Sequence, residues 1–389
     1  MNTAPFKTGI FWKTLVLGAI LTLPMVAFPQ TEAVALPAPA TDLTFEEFLI
    51  PEDKMCEIRN EWVDTLLAEH GEGTWAPMKV DVTDSMLEKM GLPPREVLLR
   101  QRYPVPTMIH KDGTLETVDI SPLMTTTGTM GPTVTSYAGT GCFGIRPGAW
   151  LLLLEGGSIG WCSFAHVYGN PGSYSISTAG HCGKTGDVAT VIAAFGNRNG
   201  VLNPILLDIG KFSKSTGDGG IGKDWALIGV ESAWQGLVSP TMCFWGGPQG
   251  MYTKTGSTVA ATLLGRKLVD GPYVNADPFL VQGIVHYGHG TGVGATGTPR
   301  AGTAFHWATT HFSWEGVISP GDSGSGSNTI TGDSVGAIRE AAGINTHIYV
   351  DPTLKTGIGF MAGTRATAVT ATLANGQLLP YPVPVPIAP

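Results

Sequence analysis

Apolar positions along this chain recur with two different periods. Met55, Ile58, Trp62 and Leu66 step by three and four residues, the stripe of an amphipathic helix, and Gly71 ends it. Thr44 and Glu47 stand upstream at capping-box spacing. A second short helix is predicted over Ser85–Met90, closed by Gly91 and the Pro93-Pro94 pair. TMIHKDGTLETVDI (Thr107–Ile120) reads as a hairpin turning at Asp112-Gly113. From Ser121 to Gly141 Thr, Gly, Ser and Pro take over, which is linker composition.

Beyond the linker the pattern is that of strands. WCSFAHVY (Trp161–Tyr168) and SYSISTA (Ser173–Ala179) flank a Gly169–Gly172 turn and predict a hairpin. Further strands are expected in VATVIAAF (Val188–Phe195), WALIGV (Trp225–Val230), FLVQGIVHYG (Phe279–Gly288), AFHWATTHF (Ala304–Phe312), SVGAI (Ser334–Ile338) and GINTHIYV (Gly343–Val350). They fall in two groups about a Gly-rich middle, which fits two small barrels better than one sandwich. No internal repeat is present, and YPVPVPIAP (Tyr381–Pro389) predicts an extended, unpacked tail.

Composition supports an all-β body. Only 14% of the 389 residues are charged and 53 are glycine, so long charged helices cannot dominate. The net charge of −8 is uneven: residues 41–120 hold 17 of the 31 acidic side chains and 8 of the 23 basic ones. The remainder is close to neutral and has no basic patch, which argues against nucleic acid as a partner. At the N-terminus Lys7 and Lys13 precede the apolar TLVLGAILTLPMVAF (Thr14–Phe28), and Ala33-Val34-Ala35 offers a small-x-small cleavage site. The apolar run contains Pro24 and falls short of the roughly 20 residues a spanning helix needs. A cleaved signal is therefore expected over a retained anchor, with secretion and no lasting membrane association. Secretion permits disulfides, and the five cysteines (Cys56, Cys142, Cys162, Cys182, Cys243) leave at least one unpaired within the chain.

Candidate chemistry centres on ISPGDSGSGS (Ile318–Ser327), where glycines crowd one serine, Ser323, behind an aspartate. A serine hydroxyl is a weak nucleophile that needs an adjacent base, itself oriented by a third group. His181 in STAGHCGKT follows a predicted strand directly, and a Cys162–Cys182 bridge would fix the backbone beside it. Asp224 heads the apolar run DWALIGV and is the first choice for the third group, with Asp208 and Asp218 as rivals. His286 and His289 form H-x-x-H with His306 and His311 close behind. They lack the helix that usually presents such a pair, so no metal and no cofactor is expected.

STAGHC, DWAL and PGDSGS, in that order, resemble the three catalytic motifs of the chymotrypsin-like serine proteases, closest in style to secreted microbial members. The spacings, 43 residues from His181 to Asp224 and 99 from Asp224 to Ser323, agree, and the order His, Asp, Ser differs from that of subtilisins and α/β-hydrolases. The resemblance spans about Cys142–Ala374. It implies an all-β fold of two six-stranded antiparallel Greek-key barrels, here preceded by a small mixed α/β N-terminal segment. It further implies Ser323 as nucleophile, His181 as base, Asp224 as its orienting partner, and an oxyanion hole from the amides of Gly321 and Ser323. Asp322 would be a buried carboxylate shaping that hole. VHYGHGTGVGATG (Val285–Gly297) resembles the stretch that opens the second barrel, and GINTHIYV the strand lining the substrate groove. Val317 then stands at the base of the specificity pocket and His347 in the groove, which implies uncharged or acidic residues before the cleaved bond rather than Arg or Lys.

No Ile-Val-Gly-Gly-like mature N-terminus precedes His181, so animal-type activation is not expected. Cys142–Cys243 is the favoured second bridge, with Cys56–Cys243 its rival. The implied organisation is a signal peptide (1–35), an acidic pro-segment or accessory domain (36–120), a linker (121–141), a protease domain (142–375) and a Pro-rich tail (376–389). A monomeric endopeptidase acting on protein or peptide substrates is expected. The alternative is a secreted binding protein that keeps the fold without the activity.

Overall fold

Helix, short strands and a hairpin lead into the β body, in the order in which the apolar pattern changes. The computed structural model describes residues 52–90, 93–100, 102–110, 114–121, 144–170, 172–192, 205–240, 248–257, 282–288, 300–331 and 338–373, all within one unit, Pro39–Pro389. The predicted signal peptide and tail, Thr44, Glu47, Cys142, Cys243 and His289 lie outside the described residues, as does nearly all of the linker. Helix α1 (Glu52–His70) buries Ile58, Trp62 and Leu66. It ends where Gly71, at φ 74°, turns its N–H back to the Leu67 carbonyl at 3.0 Å. Strands β1 (Trp75–Pro77) and β2 (Val80–Asp81) follow, then α2 (Asp84–Met90), whose first turn is capped by Thr83 Oγ1 accepting from the Met86 N–H at 3.1 Å. A one-turn helix α3 (Arg95–Leu98) leads to the predicted hairpin, β3 (Thr107–Ile109) with β4 (Leu115–Thr117).

The next strands form an open antiparallel sheet. They are β5 (Trp150–Glu155), β6 (Ser158–Ser163), β7 (Val167–Tyr168), β8 (Ser175–Thr178), β9 (Val188–Ile192), β10 (Ile205–Ser215) and β11 (Ala226–Val230). Their spatial order is β2-β6-β5-β9-β10-β11-β8-β7, with the β3–β4 hairpin added to β10. Two short strands, β12 (Gly250–Met251) and β13 (Gly256–Ser257), precede the second body. There β14 (Gln282–Tyr287), β15 (Arg300–Trp307), β16 (His311–Val317), β17 (Gly326–Thr331), β18 (Ile338–Tyr349) and β19 (Ile358–Arg365) pair around a ring, β14-β15-β16-β19-β18-β17 and back to β14. This is a closed six-stranded antiparallel barrel, followed by helix α4 (Ala366–Ala371). Bulges between Ala304 and His306, Ser327 and Asn328, and Asn345 and His347 supply the bends that closure needs.

Trp314 fills the barrel interior beside Phe312, Ile344 and Met361, all fully buried. Its ring fits because Gly302 and Gly316 carry no side chains: a Cβ at either would stand 2.6 or 2.5 Å from the indole. Its Nε1–H donates to Asn345 Oδ1 at 3.0 Å.

Several expectations are corrected. The first β body is an open sheet, not a second closed barrel. Trp161–Tyr168 is not one strand: β6 pairs with β5, and only β7 pairs with β8, so Cys162 sits outside the predicted hairpin. Ala304–Phe312 is likewise two strands, β15 and β16, turning at residues 308–310. Cys56 is a free thiol, which removes the Cys56–Cys243 pairing.

Replacing Trp314 by alanine empties the barrel centre and strips Asn345 of a donor, for an expected loss of about 3–5 kcal/mol. Urea unfolding of Trp314→Ala against the parent measures it.

Candidate active site

The turn after β16 is built to present one side chain. Two tight bonds, Asp322 N–H to Ser319 O at 3.1 Å and Ser325 N–H to Asp322 O at 2.9 Å, fold Ile318–Ser325 on itself. Gly321 and Gly324 take φ values of 86° and 84°, where a side chain is strained. A Cβ at Gly324 would also collide with Thr178 Oγ1 and the Ser163 carbonyl. The Asp322 carboxylate points inward with no exposed surface and meets the Arg300 guanidinium in two bonds, at 2.7 and 2.5 Å, with a third from the Ser319 N–H at 2.9 Å. Arg300 thus holds Asp322 from within the barrel. From the first β body, Ser163 donates its N–H to the Ser323 carbonyl at 2.7 Å and its hydroxyl to the Gly321 carbonyl at 2.8 Å. From the barrel, Asn345 accepts the Gly324 N–H at 2.8 Å and donates to Ser325 Oγ at 2.9 Å.

His181 and Asp224 reach this turn from the open sheet. Strands β8 and β11 pair with Thr178 opposite Ala226, so the residues just past one strand and just before the other meet at one sheet end. The one-turn helix Gly180–Cys182 carries His181, and the Cys162–Cys182 disulfide ties it to β6. Asp224 is fully buried: Oδ2 lies 2.5 Å from His181 Nδ1, and Oδ1 accepts the His181 backbone N–H at 3.0 Å. Thr364 Oγ1 donates to the Asp224 carbonyl at 2.7 Å. With a carboxylate at Nδ1, that nitrogen carries the proton, and Nε2 keeps a lone pair for the Ser323 hydroxyl, to which it is hydrogen-bonded. The Gly321 N–H points at another part of the same chain, the Met78 carbonyl, at 2.9 Å.

The rival carboxylates are engaged elsewhere. Asp208 accepts from the Tyr103 N–H at 3.0 Å, from Arg102 Nε at 3.1 Å and from Thr190 Oγ1 at 2.5 Å. Asp218 stands 3.3 Å from His347 Nε2. His347 lies 3.9 Å from Asp224 Oδ2 and edge-on to the His181 ring, against the carboxylate side of the relay. Val317 closes β16 opposite Ile358, half-buried. His286 is fully buried, its Nδ1 3.2 Å from Ser325 Oγ. His306 and His311 face each other across the β15–β16 turn, with their Nε2 atoms 3.3 Å apart.

Two partners escaped the sequence reading. Arg300 carried a legible signal, being an arginine at the head of the apolar run RAGTAFHW. Asn345 carried none, because its role depends on which strands its neighbours join.

No family model matches the chain, and no curated protein matches it. Among solved structures it is similar to Thermobifida fusca Protease A, at 15% identity and TM-score 0.35 over 61% of this chain and 99% of that one. It is similar also to a Nocardiopsis protease, NAPase, at 19% identity and TM-score 0.33 over 60% of this chain and 98% of that one. A third is a glutamic acid specific serine protease described as using a novel histidine triad in substrate binding, at 18% identity and TM-score 0.34 over 60% of this chain and all of that one.

Burial sets the acid response. It depresses His166 to about 4, lowers His286 well below the usual value with help from the Arg300 charge, and lowers His347 although Asp224 opposes it. His306 falls to about 4 through burial and the neighbouring His311. His166 and His306 stay neutral in the fold above about 4 but protonate near 6.5 once unfolded. The stability these two confer is complete above that pH and is lost as pH falls from 6.5 toward 4, by up to about 1.4 kcal/mol per pH unit per group, and His286 and His347 act in the same direction. The urea midpoint is expected to drop between pH 7 and 5, and calorimetry in two buffers at pH 5.5 to show uptake of more than one proton on unfolding.

Proposed function

We propose that the protein is a secreted, monomeric serine endopeptidase. In this reading the open sheet and the closed barrel are the two halves of a chymotrypsin-like pair, with the cleft between them. The observation that carries it is a continuous relay, Asp224 to His181 to Ser323, ending in a turn whose Gly321 N–H already faces a peptide carbonyl.

Ser323 Oγ attacks the carbonyl carbon of a bound peptide while His181 Nε2 takes its proton. Asp224 keeps the imidazole in the Nδ1–H tautomer and stabilises the cation that forms. The amides of Gly321 and Ser323 receive the charge that grows on the carbonyl oxygen, an interaction that strengthens as the carbon becomes tetrahedral. His181 then delivers its proton to the leaving nitrogen, and water, activated by the same imidazole, releases the acyl group from Ser323. No cofactor takes part. Val317 offers no carboxylate for a buried Arg or Lys, which favours uncharged or acidic residues before the cleaved bond.

Peptide-library cleavage is expected to be efficient, with Ser323→Ala and His181→Ala each lowering kcat by about 10⁴-fold or more and Asp224→Asn by about 10⁴-fold. A fluorophosphonate is expected to label Ser323 in a one-to-one ratio. Neither cleavage nor labelling, even after the N-terminal segment is trimmed away, makes the protein a binding protein on a protease fold.

A further inference from the structure

Building on that reading, we propose that residues 75–81 of this chain occupy the cleft as a substrate, and that Met78–Lys79 is a peptide bond the protein cuts in itself. Strand β1 pairs antiparallel with the end of β18, setting Trp75, Ala76 and Pro77 opposite Tyr349, Ile348 and His347. Bonds from Gly73 N–H to Val350 O at 2.9 Å, Val350 N–H to Thr74 O at 2.7 Å and Met78 N–H to Thr346 O at 3.2 Å extend the ladder on both sides. Three residues on, β2 pairs with β6, setting Val80 opposite Trp161 and Asp81 opposite Gly160, with the Val82 N–H on Ile159 O at 2.8 Å. One extended stretch is therefore gripped by the barrel on one side and by the open sheet on the other. This is the strand-addition mode by which sheet edges bind peptides.

The relay sits at the change of hands. The last backbone group held by the barrel side is the Met78 carbonyl, on the Gly321 N–H, two residues from Ser323 in the same turn. The Met78 side chain is fully buried, while Lys79 reaches outward toward Asp81 at 3.6 Å. Pro77 lacks an N–H and loses nothing, because its neighbours supply the ladder's donors. The subsites so defined take an extended peptide with an unbranched apolar residue before the cut and proline before that.

The chemistry balances with water alone. Ser323 Oγ bonds to the Met78 carbonyl carbon, and His181 passes the hydroxyl proton to the Lys79 nitrogen as the C–N bond breaks. Water then frees a Met78 carboxylate and restores Ser323. While the chain is joined, the segment competes with any other peptide at the effective concentration of a short tether, on the order of millimolar. Cutting turns it into a separable inhibitor.

The full chain is produced as wild type, Ser323→Ala and Lys79→Pro, and each is followed by intact mass and N-terminal sequencing. Wild type is expected to yield a new N-terminus at Lys79, at a rate independent of protein concentration, while both variants stay joined. Fluorophosphonate labelling of joined Lys79→Pro is expected to be at least about 10-fold slower than that of the cut wild type, as tethered competition requires. Fully active wild type with Met78–Lys79 intact, or cut only at another bond, overturns this inference and leaves the proposed activity standing. Absence of both peptide hydrolysis and labelling, even after trimming by an added protease, overturns the activity itself.

Discussion

The buried ion pair between Asp322 and Arg300 is the contact on which the site depends. Ionised groups of this kind lose several kcal/mol of hydration on entering a protein, and only close, multiple hydrogen bonds offset that loss. Here the carboxylate receives two from Arg300 and another from the Ser319 amide. Turning Asp322 inward forces its neighbours outward. The Gly321 amide then faces the cleft, and the Ser323 side chain stands above it. Arg300 comes from the head of β15, a barrel strand, so the barrel's own closure fixes the charge that holds the turn.

The second constraint is the seam between the two β bodies. Ser323 belongs to the barrel, whereas His181 and Asp224 belong to the open sheet. Their distances are meaningful only if the two bodies are locked together. Ser163, at the end of β6, makes that lock with both its amide and its hydroxyl on the Ser323 turn. Thr364 on β19 bonds the backbone of Asp224 from the opposite direction. Each half thus grips the part of the site that the other carries.

Much of this was legible in the sequence, for reasons that differ by element. Local motifs with a steric cause survived intact: the glycines flanking Ser323, the strand that delivers His181, and the Cys162–Cys182 bridge. Strands rich in branched or aromatic residues were visible, although the run through Ser163 concealed a break because apolar residues continue across it. Strands β17 (GSNTIT) and β19 (IGFMAGTR) carry too little periodicity to be recognised, since their glycines sit where neighbouring chain comes close, Gly326 against Ala165 and Gly363 against the Ile344 carbonyl. Strands β1 and β2 are three and two residues long and the first ends in a proline, so nothing in their own composition marks them. They are strands only because β18 and β6 offer edges at the right separation. Partners set by such distant pairing, Asn345 and Met78 among them, lie beyond any reading of neighbours along the chain.

That last class explains why the N-terminal segment is more than a cover. A peptide that merely shielded the cleft would need partners for its backbone groups anywhere they were found, because buried amides and carbonyls cannot go unpaired. Here those partners are the end of β18 and the middle of β6, on either side of the Gly321 amide. The segment's grip does not end at the cleft. Arg59 donates to the Lys355 carbonyl at 2.6 Å, and the Lys355 ammonium meets Asp64 at 2.6 Å, anchoring α1 beside the barrel. Downstream, Asp208 fastens Tyr103 and Arg102 to the open sheet. These anchors lie away from Ser323, so the proposed scission would free only the strand end beside the Gly321 amide, which can leave the cleft while α1 stays on the barrel.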